Sequence, residues 1–299
     1  MKKALIIYAS ILIGVFVLFS VLDLKGDYTV ERRMWGLFQQ QLDIAKDPTV
    51  IPERAFEDIT NEYKKIIAEY PDSTLTSGIH LQLGEIYTLK KDFVSARKVL
   101  NEIIGLYPDN RELSAEAMFK IGKTYEFEEN WVEASKTYHK IILKYSETDT
   151  AMGVPIYIAN YYKGLNDFQG AMDAYEVAIR YYKKMASDHD GTKVGLNAMR
   201  FLSNCYLEQN RWIEAIDTLG AVIEKYASSG YLTDENADMT VKTINIVSAY
   251  QLQDYDIAIG LYRGIIDRNP GHRFRGYLEK MIEAFNQLRE KGVDAPDLK

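Results

Sequence analysis

The chain has 299 residues, with 36 Lys and Arg against 43 Asp and Glu and a formal net charge of −7. An apolar share of 47% with 26% charged residues is globular composition, which excludes wholesale disorder, collagen-like chains and disulfide scaffolds. There is no excess of Lys and Arg of the kind that duplex binding uses, and a single cysteine cannot form an intramolecular disulfide.

After Lys2 and Lys3, the run from Ala4 to Leu22 carries no charge. As a helix it would reach about 28 Å, close to the hydrocarbon thickness of a bilayer. The run exceeds the apolar core of a cleaved signal peptide, about 7–15 residues, and no pair of small residues between Phe19 and Gly26 suits a cleavage site. The only cysteine, Cys205, is far downstream, so lipidation at this end is excluded. Residues 1–26 therefore read as one transmembrane helix, an uncleaved signal anchor, with a cleaved signal as the rival. Lys2 and Lys3 on one side nearly balance Lys25, Arg32 and Arg33 on the other, so charge alone leaves the orientation close to a tie. A short Lys-Lys segment before an apolar run looks like a bacterial export signal. That reading puts the anchor in the bacterial inner membrane and the C-terminal domain in the periplasm.

The remainder repeats itself. The segments 83–87, 121–125, 158–162, 202–206 and 246–250 all read apolar, small or apolar, two residues, Tyr. Phe93, Trp131, Phe168 and Trp212 follow the first four tyrosines by six residues, and Ala96, Ala134, Ala171 and Ala215 come three later. In the fifth copy Tyr255 arrives one residue early. Apolar positions recur at helical spacing, as in Ala96, Val99, Leu100, Ile103 and Ile104 before Tyr107 and Pro108. Each unit is then two helices, with Asp92, Asn130, Asp167, Asn210 and Asp254 as caps at the junctions. Small residues at Gly84, Gly122 and Ala159 let paired helices approach closely. A zeroth unit precedes these, its first helix over 28–45 with Met34, Trp35, Phe38 and Leu42 on one face, its second over 53–69. The expected divisions are an anchor at 1–26, a juxtamembrane helix and linker at 27–52, the array at 53–271, a capping helix at 272–290 and a polar tail at 291–299.

These residues, with closings such as Tyr70-Pro71-Asp72-Ser73 and Tyr107-Pro108-Asp109, resemble the tetratricopeptide repeat, especially its bacterial envelope proteins. The resemblance covers about residues 53–290. It implies an all-α fold, a right-handed α-solenoid of helix pairs, whose concave groove binds other proteins.

Catalysis finds no support in the residues. His80, His139, His189 and His272 lie in different units without ligand spacing and read as surface or groove residues. Cys205 reads as a buried small hydrophobe. No nucleophile elbow, phosphate loop or zinc-protease motif occurs, so neither an enzyme nor a cofactor or metal is expected. The repeated aromatics read as core packing, not as a stacking ladder for nucleic acid.

The groove positions implied by the resemblance are Leu81, Glu85 and Thr88 in the first unit and Phe119, Lys123 and Glu126 in the second. The third contributes Ile156, Asn160 and Lys163, the fourth Arg200, Asn204 and Leu207, and the fifth Ile244, Ser248 and Gln251. Arg200, Asn204 and Asn245 also match three positions of the clamp by which some tetratricopeptide domains hold a C-terminal carboxylate. Arg268, Arg273 and Arg275, in a basic run with Arg263 and His272, form a candidate docking patch for an acidic partner or lipid headgroups. The expected function is a membrane-anchored interaction scaffold of the cell envelope that takes a peptide or helix in the groove. The alternatives are a module for cell-wall glycan and, with the anchor reversed, a cytosol-facing adaptor. An exposed aromatic row would favour glycan, and only Phe119 and Phe127 qualify from sequence.

Overall fold

The computed structural model describes residues 13, 27–46 and 52–290, most of them helical. The run 4–22 lies outside the described residues apart from Ile13, as does the tail 291–299. Among the described residues no helix is long and apolar enough to cross a membrane. The chain forms two compact units, 1–150 and 151–299.

In the first unit, α1 (Asp27–Lys46), α2 (Glu53–Glu69) and α3 (Thr76–Leu89) share a core built on Val30, Leu37, Ile44, Phe56, Tyr63, Ile79 and Leu83. The buried side of α1 carries Val30, Leu37, Gln41 and Ile44. Trp35, Phe38 and Leu42, the face most conspicuous in the sequence, are exposed. The Gln41 amide oxygen accepts from the Tyr63 hydroxyl at 2.9 Å, and Asp27 accepts from the hydroxyls of Ser73 and Thr74 at 2.6 and 2.8 Å. Next, α4 (Phe93–Leu106) packs on α3, α5 (Arg111–Phe127) on α4, and α6 (Trp131–Lys144) on α5.

The second unit takes in most of α7 (Asp149–Gly164), then α8 (Phe168–Asp188), α9 (Lys193–Glu208) and α10 (Trp212–Tyr226). It continues with α11 (Asp234–Ile246), a π turn over Val247–Gln251, α12 (Tyr255–Arg268) and α13 (Arg275–Glu290). α9 packs on both α8 and α10, and α13 packs on α12. α13 covers apolar surface with Leu278 and Phe285, the latter stacked on Tyr255 at 5.1 Å.

One junction is repeated within both units. Lys91, Glu129, Asn166, Asn210 and Gln253 adopt left-handed backbone, with φ of 63°, 58°, 58°, 56° and 52°. The next residue begins the second helix of the pair, and Asp92, Asn130, Asp167 and Asp254 cap it with a side-chain oxygen, as expected. In the fourth pair Asn210 is itself the left-handed residue and Arg211 takes the cap position without a side-chain bond, so Asn210 is not the cap. The backbone amides of Asp92, Asn130, Asp167 and Arg211 return to the carbonyls of Tyr87, Tyr125, Tyr162 and Tyr206 at 2.8–3.0 Å. These bonds satisfy carbonyls that a helix end would otherwise leave unpaired.

The fifth junction carries one more residue. The Asp254 amide returns to Ser248, six residues back instead of five, and Leu252 donates to Val247 in a π-type bond of 3.0 Å. The extra residue is absorbed as a π bulge. Consequently the segment 246–250 is not a fifth copy of the repeat motif: Ile246 is 55% exposed and Tyr250 37%, whereas Leu83, Ile121, Ile158 and Leu202 are buried.

The close-approach positions fix the true alignment. A Cβ on Gly84 would lie 2.7 Å from Leu100, and one on Gly122 would overlap the Tyr138 ring, 2.7 Å from its Cζ. Leu100 and Tyr138 each stand seven residues after the aromatic that opens their helix, as does Tyr262 after Tyr255. Tyr262 meets Asn245, whose Oδ1 accepts from its hydroxyl at 2.7 Å. Asn245 therefore stands where the first two pairs have Gly84 and Gly122.

Gly122→Ala should destabilise the first unit by about 1–2 kcal/mol, because steric overlap outweighs the gain in helix propensity. Gly260→Ala, in α12 with nothing within 4 Å of the added Cβ, should stabilise by about 0.5–1 kcal/mol. Urea unfolding of both variants checks the contrast. Burial pushes the phenols of Tyr63, Tyr181 and Tyr277 from 10.0 up to about 12. Raised folded-state values stabilise fully below pH 10 and lose that contribution as pH climbs toward 12. Ultraviolet titration should therefore show late-ionising tyrosines whose release accompanies loss of helix.

Candidate functional site

In the first unit the first-helix face of α3 and α5 is polar and internally paired. Glu85 sits 3.6 Å from Lys120, which also lies 3.9 Å from Glu116. Lys123 donates to Glu126 at 2.8 Å and stands 5.8 Å from the centre of the Phe127 ring. Glu126 also accepts from the Tyr138 hydroxyl, and the Phe119 ring packs 5.3 Å from Tyr138. Phe119 and Glu126 thus brace the helix pair. Leu81 is buried in the core with Leu100 and Ile121, and the Thr88 hydroxyl bonds the Gly84 carbonyl at 2.8 Å. These two residues do not line an open surface. Phe127 is exposed but stacked on Phe93 at 6.4 Å.

In the second unit Ile156 is half-buried against the α8 and α9 core, while Asn160 and Lys163 are exposed on α7. The Asn160 Oδ1 accepts from Tyr175 at 2.5 Å, and Lys163 pairs with Glu208 at 2.6 Å. Both partners of that ion pair are well exposed, so it adds little stability. On α9, Thr192 caps the helix by accepting from the Gly195 amide at 3.2 Å. Leu196, Met199, Leu202, Cys205 and Tyr206 bury the opposite side. Arg200 and Asn204 are consequently exposed one turn apart, and among the described residues neither side chain has a hydrogen-bond or ion-pair partner. A guanidinium beside a carboxamide offers several donors to a carboxylate or a peptide carbonyl.

The fifth unit corrects the expected groove. Asn245 spends its amide oxygen on Tyr262, and its Nδ2 lies 3.4 Å from the Met281 sulfur. Ser248 and Ile244 are buried. The expected alignment was two residues late, so Lys242 and Ile246 occupy the positions of Arg200 and Asn204. Sequence held one signal of this: Tyr250 and Tyr255 are five residues apart where the other copies have six. Without Asn245, the carboxylate-clamp match reduces to Arg200 and Asn204.

The cations of the candidate basic patch are exposed but carry ion pairs. Arg268 forms two bonds to Glu224 at 2.6 and 2.9 Å, which hold that carboxyl below its ordinary range. Arg273 joins Asp234 at 2.6 Å and reaches the carbonyls of Ala227 and Leu232. Arg275 pairs with Glu279 at 2.8 Å and with the Pro270 carbonyl at 3.1 Å. Their charges are engaged in fixing turns and helix ends. His80 and His272 are buried, not on the surface: His80 Nδ1 lies 2.9 Å from the Thr76 carbonyl. His272 Nε2 faces the Ile223 carbonyl at 3.1 Å while its Nδ1 accepts from the Phe274 amide at 3.2 Å, which a proton on Nε2 satisfies. Cys205 is buried as expected, and burial pushes its thiol up to about 12. Among the described residues no group of three or more His, Cys, Asp or Glu side chains is placed to hold a metal ion.

Asn245→Ala should cost about 1–2 kcal/mol, because the buried Tyr262 hydroxyl loses its main acceptor. Denaturant unfolding checks this, and an unchanged midpoint would contradict the internal role. Native Cys205 should resist iodoacetamide at mildly alkaline pH and react once the chain is unfolded.

Residues 80–110 and 116–148 match the tetratricopeptide repeat family. No curated protein sequence matches the chain. A solved structure from Podosopora anserina, described as kinesin light chain nearly identical TPR-like repeats, is similar at 14% identity and a TM-score of 0.32, over 71% of this chain and 95% of that one.

Proposed function

We propose that the chain is a membrane-anchored scaffold of the cell envelope, held by residues 4–22, with its helical domain periplasmic. It binds a partner peptide or helix on the exposed faces of its first helices. Tetratricopeptide repeats typically bind other proteins, and two segments of the first unit match that family. The observation that carries the binding site is the pair Arg200 and Asn204, exposed on one face of α9 with their donors uncommitted among the described residues. Asn160 and Lys163 extend the polar surface on α7 within the same unit. No reaction is assigned to this surface.

A photoreactive residue at Asn160 in living cells should capture a discrete envelope protein, with protease accessibility reporting the side of the membrane. Arg200→Ala combined with Asn204→Ala should weaken capture about tenfold, equivalent to about 1.4 kcal/mol, while helicity stays unchanged. Unchanged capture would remove α9 from the interface, and retention of glycan in place of protein would favour a polymer-binding module.

A further inference from the structure

α1 leaves an apolar face uncovered. Tyr28 is 64% exposed and Trp35 65%, with Phe38 and Leu42 on the same side one and two turns further on. The Trp35 and Phe38 rings lie 6.3 Å apart, so the stripe is continuous. An open cavity of about 510 Å³ flanks it, lined by Tyr28, Trp35, Phe38 and Tyr63 and rimmed by the charged side chains of Glu31 and Arg32. The helix already spends its other side on the core, through Val30, Leu37, Gln41 and Ile44. Its fixed cation, Arg33, is engaged with Glu62 and Glu69.

The sequence says what lies next to this face. Only Asp23 to Gly26 separate the apolar run 4–22 from α1, so the helix starts at most about 17 Å from the end of that run. Tyr and Trp are the side chains that settle where hydrocarbon meets headgroups, with apolar rings inward and polar atoms toward water. α1 carries Asp27, Glu31 and Asp43 against Arg32, Arg33 and Lys46, so no net charge drives it from or toward anionic lipid.

We propose that α1 lies on the bilayer surface, its stripe of Tyr28, Trp35, Phe38 and Leu42 facing the headgroup and acyl boundary. The first unit is then seated on the membrane instead of swinging on a tether. This inference rests on the reading that residues 4–22 insert, and the experiment separates the two.

The full chain is reconstituted into vesicles of phosphatidylcholine and phosphatidylglycerol, with a nitroxide on a single introduced cysteine at 35, 38, 42, 36, 40 or 43. Cys205 stays unlabelled because it is buried. Resistance to carbonate extraction tests the anchor; an extractable chain overturns the anchor and this inference together. In a retained chain, labels at 35, 38 and 42 should be several-fold more accessible to oxygen than to a nickel chelate, and those at 36, 40 and 43 the reverse. Uniform access of the nickel chelate overturns the inference while leaving the anchor intact. So does protection of the stripe that is independent of lipid and conferred by an added protein partner.

Discussion

The close approach of two helices within each pair is the constraint on which the rest depends. Where Gly122 faces Tyr138, a missing Cβ lets an aromatic ring fill the gap between backbones. At Gly84 the filler is Leu100, and at Asn245 it is Tyr262, tied by a hydrogen bond instead of a void. Packing at these points sets the rotation of each first helix, and that rotation decides which side chains reach solvent. Arg200 and Asn204 are exposed because Leu202, Cys205 and Tyr206 are committed to the core.

The junctions carry the same logic along the backbone. A left-handed residue of ordinary type at Lys91 or Glu129 costs about 1–2 kcal/mol, offset by the tyrosine carbonyl and helix-start amides that the turn satisfies. Repetition of that turn explains why Asp92, Asn130 and Asp167 were legible from spacing alone. The fifth junction was not legible, because a π bulge changes the residue count without changing composition. Ile246 and Tyr250 preserve the letter pattern of the motif while their side chains face outward. The partners of Arg268, Arg273 and Arg275 were not legible for a related reason: a run of cations in sequence says nothing of Glu224, Asp234 and Glu279, which meet them in space. On α1 the apolar positions were visible but not their division between core and surface. Both faces carry large apolar residues, and only the approach of α2 and α3 distinguishes Leu37 from Phe38.

The exposed faces of α9 and α1 differ in chemistry. The α9 face offers cationic and amide donors to a polar main chain or carboxylate. The α1 face offers aromatic and aliphatic area next to an apolar run. One suits recognition of a partner and the other suits a lipid boundary, and both belong to helices whose opposite sides are buried in a core.

A double-mutant cycle on Gly122→Ala and Tyr138→Ala tests that rule most directly, with native-state hydrogen exchange in α5 and α6 as the readout. If close approach governs the pair, the penalty of Gly122→Ala falls by about 1–2 kcal/mol once the ring facing it is removed. Additive effects, with the penalty unchanged beside the smaller side chain, would contradict it.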